Sequence, residues 1–326
     1  MTTPAIDIRA LRKHYGSTVV LDGVDLAVQA GTVTALLGAN GAGKTTTVHI
    51  LSTLIRPDGG SALVGGSDVV TDAAGVRAVI GLTGQFSAVD GLLTGEENLL
   101  LMARLRHLGA TAAKARVSEL LEQFDLVESA RKPLATYSGG MRRRLDLAMT
   151  LVQAPRVIFL DEPTTGLDPR SRRTMWQIVR ELVADGTTVL LTTQHLDEAD
   201  ELADRVAVLD GGRIVAEGTP DDLKRLVPGG HLRVRFTDVA ALHSASRLLG
   251  GSSSDEIALT LTVPSDAGVG ALRTTLDRLD SAGIDVADLS IHTPDLDDVF
   301  FALTGAGARA STGERPQSAD QKGSRP

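Results

Sequence analysis

The sequence predicts an α/β protein: a parallel sheet with crossover helices, followed by a second, smaller α/β domain. Three observations predict it. Residues 32–37, Thr-Val-Thr-Ala-Leu-Leu, form a compact apolar strand that runs into a glycine loop and then a helix over 44–54. Residues 157–160 and 187–191 are short apolar runs rich in β-branched residues, with room for a long helix over 171–184 between them. Buried strands that alternate with helices imply a parallel sheet covered on both faces. Beyond Pro228-Gly229-Gly230 the alternation restarts, which marks a domain boundary.

The remaining elements fall around that frame. Residues 6–28 alternate apolar and polar positions in short stretches broken by Gly16 and Gly23, the pattern of antiparallel strands. Leucines three and four apart predict helices over 96–108 and 112–124, and a further helix covers 142–152, so a helical subdomain of about 86–152 is inserted. Residues 206–209 and 213–215 flank Asp210-Gly211-Gly212 as a hairpin. The first domain is expected over 1–228. The second, over 229–305, carries strands at 231–236, 257–263 and 286–291 and helices at 239–249, 269–279 and 296–303. Residues 306–326 are expected to be a disordered tail, too rich in Gly, Ser and charge to bury a core.

At 326 residues and 42% hydrophobic content the chain supports about two packed domains. Aromatics make up only 3%, so Leu, Val, Ile and Ala build the core. A formal net charge of −8 argues against a dedicated nucleic-acid binder. The absence of cysteine excludes disulfides, zinc-thiolate sites and thiol nucleophiles, and fits a reducing compartment. No apolar run reaches the ~18 residues that span a bilayer, and residues 1–7 lack a signal-peptide pattern. A membrane role is therefore expected to run through a partner.

Gly38-Ala39-Asn40-Gly41-Ala42-Gly43-Lys44-Thr45 fits G-x-x-x-x-G-K-[ST] between a strand and a helix, followed by Thr46. Glycines let backbone N–H groups wrap phosphates, and the helix adds its positive end. Lys44 would reach the β- and γ-phosphates, and Thr45 would hold Mg²⁺. Asp161 closes an apolar strand, where a carboxylate needs a partner, and Mg²⁺ is the natural one. Glu162 beside it is placed to polarise an attacking water. His195 follows the strand at 187–191 and is either a site residue at the sheet's carboxyl edge or a capping residue. Gln85 lies in a loop after Val79-Ile80-Gly81-Leu82, and its amide could touch Mg²⁺ or the water. Ser138-Gly139-Gly140 opens a helix and makes a second phosphate grip. Two grips are one too many for a single nucleotide. A two-fold dimer, with each glycine loop covered by the other chain's Ser-Gly-Gly, resolves this. Arg142-Arg143-Arg144 reads most simply as a solvated helix face.

Together these residues resemble the ATP-binding-cassette (ABC) family over roughly residues 6–221. Walker A matches 38–45, Walker B matches 157–162, and the signature matches 138–141, with Met141 where the family usually has glutamine. By the same resemblance Tyr15 is the adenine-stacking aromatic, Gln85 the Q-loop, Gly166-Leu167-Asp168 the D-loop and His195 the switch histidine. Thr293-Pro294-Asp295-Leu296-Asp297-Asp298-Val299-Phe300-Phe301-Ala302-Leu303-Thr304-Gly305 resembles the terminal motif of daunorubicin/doxorubicin-resistance exporter ATPases. Physically it reads as a helix capped by Thr293 and opened by Pro294, with an apolar face of Phe300, Phe301 and Leu303.

The resemblance implies an α/β P-loop NTPase with an antiparallel β subdomain and a helical subdomain. It implies an ATPase using ATP and Mg²⁺, working as a homodimer at the cytoplasmic face of the cell membrane. An integral-membrane permease encoded separately would dock at about residues 86–98, and no nucleic acid is involved. Two alternatives stay open: an importer ATPase with a regulatory C-terminal domain, and a soluble, non-transport cassette protein.

Overall fold

β-branched and leucine residues fill the central strands because both faces of the sheet they form are covered. The structure, a computed structural model, describes residues 3–84, 88–227, 230–250, 253–265 and 269–311. Its packing divides into two units, Met1–Pro220 and Asp221–Pro326. The division falls eight residues before the Pro-Gly-Gly punctuation suggested.

In chain order, unit 1 holds β1 (Ile6–Tyr15), β2 (Thr18–Val28), β3 (Val33–Leu37), α1 (Lys44–Leu51), β4 (Gly59–Val64), β5 (Ser67–Asp68), α2 (Ala73–Val79), β6 (Ile80–Thr83), α3 (Gly95–Leu105), α4 (Ala110–Gln123), α5 (Gly139–Thr150), β7 (Val157–Asp161), α6 (Pro169–Ala184), β8 (Thr188–Thr193), α7 (Leu196–Leu202), β9 (Arg205–Asp210) and β10 (Arg213–Gly218). Strands β2-β1-β4-β5 make an antiparallel sheet, and β10-β9-β3-β8-β7-β6 make a six-stranded one. From β9 to β6 that sheet is parallel, and β10 pairs antiparallel at its edge.

Every residue of β3, β7 and β8 is buried. Alternate side chains of these strands, Leu36, Val157, Phe159 and Leu190, share a core with Ile6, Leu11 and Leu26 of the antiparallel sheet and Val48 and Leu51 of α1. Helices α6 and α7 also pack on the parallel sheet, while α3 packs on both α4 and α5, and α5 in turn on β6. Helix α3 starts at a capping box: Thr94 Oγ1 accepts from Glu97 N, and Thr94 N donates to Glu97 Oε2 at 2.8 Å.

Helix α8 (Pro220–Lys224) begins at the division. Unit 2 continues with β11 (His231–Phe236), α9 (Val239–Leu249), β12 (Ser253–Asp255), β13 (Thr260–Pro264), α10 (Val269–Ser281), β14 (Val286–His292) and α11 (Leu296–Ser311). Its sheet order, β12-β13-β11-β14 with every pairing antiparallel, is the split βαβ arrangement of ferredoxin-like domains. Leu232, Val234 and Phe236 of β11 pack with Leu242 of α9, Leu261 of β13 and Leu279 of α10 to form the core.

Unit 2 departs from the sequence reading in four places. The strand expected from 257 starts at Thr260. Asp255 Oδ1 accepts from Ile257 N and Ala258 N at 2.9 and 3.0 Å, and Leu259 has φ of 54°, so residues 256–259 make a turn that leaves Ile257 almost fully exposed. The cap of α11 is Asp295 rather than Thr293. Its carboxylate accepts from Asp298 N at 3.0 Å, and Asp295 N donates to Asp298 Oδ2 at 3.1 Å. Leu296 and Val299 are buried on α11 and Phe300 is half-buried, whereas Phe301 is 70% exposed. Residues 296, 299, 300 and 303 share one face at helical spacing, and 301 lies off it. The helix also continues through 306–311, into the segment read as tail.

This placement separates two neighbouring substitutions. Leu296→Ala should cost about 2–5 kcal/mol through lost burial and a residual cavity. Phe301→Ala should stay within about 0.5 kcal/mol. Urea unfolding midpoints of the full chain check both.

Candidate functional site

The glycine loop joins β3 to α1, with Gly43 as the N-cap. Gly43 has φ of 111°, and a Cβ there would lie 2.6 Å from Leu21 Cδ2 and 2.9 Å from Val20 O. Only glycine fits where β2 presses on the loop. Gly38, Ala42 and Gly43 are buried, Ala39, Asn40 and Gly41 form the exposed rim, and Thr45 and Thr46 are half-buried on α1. The Lys44 ammonium is buried. It donates to Gly38 O at 2.8 Å and Ala39 O at 3.2 Å and lies 3.7 Å from Glu162 Oε1. Burial lowers the Lys44 pKa, and the charges of Glu162 and Asp161 oppose that shift.

Asp161 ends β7 opposite Thr192 of β8. Its Oδ1 accepts from Thr192 Oγ1 and, at 3.3 Å, from Thr45 Oγ1. Glu162 follows with φ of 49°, a left-handed conformation that costs a non-glycine residue on the order of 1–3 kcal/mol and marks functional sites. Its N–H donates to Thr192 O at 3.0 Å, and its Oε2 accepts from Thr165 Oγ1 at 3.3 Å. Lysine, both carboxylates and the Thr45 hydroxyl thus form one cluster. His195 caps α7, its N–H donating to Thr193 Oγ1 at 2.9 Å, and Thr193 pairs with Leu37. It therefore stands on the same carboxyl edge.

Ser138 is the N-cap of α5, its Oγ accepting from Met141 N at 3.2 Å. Gly140 is closed off by α6, since a Cβ would lie 2.4 Å from Ser171 Oγ, whereas Gly139 is open. Gly139 and Glu162 line a common cavity of about 300 Å³ with Thr165 and Gly166. Tyr15 ends β1, half exposed, with the Lys13 ammonium 5.5 Å from its ring centroid. Gln85 lies outside the described residues.

The arginine run is not a solvated face. Only Arg142 is exposed. Arg144 donates to Phe124 O at 2.9 Å, and Arg143 is turned inward onto backbone carbonyls at the end of β7. Sequence reading also missed Glu198. It sits one turn after His195 and is fully buried, with Oε1 accepting from Trp176 Nε1 at 3.3 Å. Its Oε2 and the Thr164 hydroxyl are buried without hydrogen-bond partners among the described residues. In sequence it looks like an ordinary acid of a helix first turn.

The donors present fit Mg²⁺. Thr45 Oγ1 and Asp161 Oδ1 lie 3.3 Å apart, close to the roughly 3 Å between neighbouring oxygens around an ion with 2.0–2.1 Å bonds. One carboxylate and one hydroxyl leave positions for water and phosphate, the usual way this ion is held. Among the described residues no group of three or more His, Asp or Glu forms an all-protein cage.

Comparison with known proteins gives this arrangement its class. A family model described as ABC transporter matches residues 21–165. Among solved structures, an ATP-binding subunit of an ABC transporter aligns with a TM-score of 0.62 at 29% identity, covering 68% of this chain and 92% of that one. The chain belongs to the ABC transporter ATP-binding family and is an ATPase of that type. Within the family its likeness runs nearly end to end with drug-resistance proteins. It is 52% identical over 306 residues to the daunorubicin resistance ATP-binding protein DrrA2 of Streptomyces coeruleorubidus, covering 92% of this chain and 95% of that one. It is 48% identical over 313 residues to the daunorubicin/doxorubicin resistance ATP-binding protein DrrA of Streptomyces peucetius, covering 93% of each. A second model, described as osmosensitive K⁺ channel His kinase sensor domain, matches residues 108–249. That stretch omits the glycine loop and crosses the division at Pro220, so it corresponds to no structural unit.

Glu198 has a pH consequence. Burial raises its pKa, and hydrogen bonding and the charge of His195 offset this only in part. The folded chain therefore holds a proton that the unfolded chain releases near pH 4.3. Stability is lost as pH rises from there through the folded value. Glu198→Gln removes this dependence, so its stability relative to the parent should improve as pH rises above the unfolded value, read by urea unfolding across a pH series.

Proposed function

We propose that this chain is the ATP-hydrolysing subunit of an exporter that removes a drug or antibiotic through a separately encoded membrane permease. The observation that carries this is the near-full-length identity to daunorubicin resistance ATP-binding proteins, combined with the cluster of Lys44, Asp161 and Glu162. The chain would act at the cytoplasmic face of the membrane. Among the described residues no helix is long and apolar enough to cross it.

The residues divide the work. Backbone N–H groups of the loop 38–43 and the N-terminus of α1 would hold the phosphates, and Lys44 would turn its ammonium to the β- and γ-phosphates. Thr45 and Asp161 would hold Mg²⁺, which when bound neutralises phosphate charge. Glu162 would orient and polarise the attacking water, with His195 contributing from the same edge and Gln85 through its amide. Tyr15 would stack on the adenine. Ser138, Gly139 and Gly140 would cover the nucleotide held by a second copy of the chain. Two ATP molecules would join a head-to-tail homodimer, hydrolysis would release it, and the permease would convert the cycle into alternating access.

Glu162→Gln should lower turnover by about 10²–10⁴-fold and accumulate an ATP-bound dimer, seen by light scattering after size exclusion. A monomer at saturating ATP and Mg²⁺ would count against the dimer. Lys44→Ala and removal of Mg²⁺ by chelation should each abolish turnover. Capture from native membranes with the Glu162→Gln chain and ATP should recover a multi-span permease. Recovery of ribosomal or DNA-bound proteins with no membrane partner would overturn the export assignment and leave the ATPase intact.

A further inference from the structure

One turn into α5, Arg143 reaches back to the carboxyl edge of the parallel sheet. Its Nε donates to Pro163 O at 2.9 Å, and its Nη2 to Asp161 O at 3.3 Å and Glu162 O at 3.4 Å. Nη1 donates to Gly84 O at 2.7 Å and lies 3.3 Å from Asp146 Oδ2, one turn further along α5. Asp146 in turn accepts from Ala88 N at 3.0 Å. Only 11% of the Arg143 side chain and 4% of the Asp146 side chain are exposed. Burial lowers the arginine's pKa and raises the aspartate's, and their mutual attraction opposes both shifts. An arginine keeps its charge under such pressure.

Three consecutive carbonyls, 161 to 163, therefore point at one guanidinium. The residue in the middle is Glu162, whose left-handed backbone persists only where its surroundings over-determine it. Thr192 holds its N–H from β8, and Arg143 holds the carbonyls around it from α5. A planar fork with five donors can span this set. A lysine ammonium, with three donors on one atom, cannot.

We infer that Arg143 is a positioning residue for hydrolysis: it fixes the 161–163 backbone so that the Glu162 carboxylate faces the glycine loop, and it ties that geometry to the seat of α5. The inference rests on the reading of Glu162 as the base. Because α5 opens with Ser138-Gly139-Gly140, a displacement of that helix start is carried by a rigid element to the catalytic backbone.

The test uses the full chain, Mg-ATP, and two changes: Arg143→Lys, and the double variant Arg143→Leu with Asp146→Asn. The double variant leaves no unpaired buried carboxylate, so it keeps the fold while losing the grip. Both should lower kcat by about 10–100-fold with KM for ATP changed by less than about threefold, and urea midpoints report the folded fraction. Placed in a Glu162→Gln background, the double variant should add no further loss, because it acts through Glu162. Wild-type kcat in the folded double variant, or a loss that multiplies with that of Glu162→Gln, would overturn the inference. Wild-type turnover in Glu162→Gln alone would refute the base assignment instead.

Discussion

Asp161 lies opposite Thr192 in the pairing of β7 with β8, and Leu37 lies opposite Thr193 in the pairing of β3 with β8. Side chains alternate between faces along a strand, so a slip of one residue in either ladder would turn every buried side chain to the wrong face. The same slip would carry Asp161 away from Thr45 and the glycine loop away from Glu162. The parallel register that packs the core is thus also the ruler that places the chemistry. Hydrophobic burial on both faces of β3, β7 and β8 enforces it.

Around that edge the chain gathers ionisable groups it would otherwise keep in water. Lys44, Asp161, Glu198, Arg143 and Asp146 are all buried or nearly so. Each is costly to desolvate, and each is compensated differently: Lys44 by loop carbonyls and Glu162, Asp161 by two hydroxyls, Arg143 by carbonyls and Asp146. Glu198 is held by the Trp176 indole N–H, with its second oxygen lacking a partner among the described residues. Among the described residues no other acidic or basic side chain is buried in the core.

Local signals were enough for much of this. The five-residue run ending at Asp161, the G-x-x-x-x-G-K-T segment and the Asp210-Gly211-Gly212 hairpin each announce themselves within a dozen residues. The segment from Gly59 to Val79 did not, because glycines and small residues read as loop until β1 supplies a pairing partner for β4. Arg142, Arg143 and Arg144 are alike in sequence, and only the tertiary position of α5 decides which of them faces the sheet. Phe300 and Phe301 likewise differ only by 100° around a helix axis whose contacts are not local. Asp295 outcompetes Thr293 as a cap because Asp298 reciprocates. Residues grouped in a motif of their own were legible as candidates; Arg143, whose contacts lie in other segments, was not.

Strand β3, which feeds the glycine loop, has as its neighbours β8 and β9. Their pairing residues lie about 150 residues further along the chain, Val33 with Val189 and Thr34 with Arg205. A ribosome adds roughly 5–20 residues per second, so β3 waits on the order of 10–30 seconds for both neighbours to be made. Throughout that interval the nucleotide loop has no finished sheet to rest on, and residues 33–37 remain an uncommitted apolar strand. Of the core that Leu36 shares, the residues supplied by β1, β2 and α1 are made long before those supplied by β7, β8 and β9.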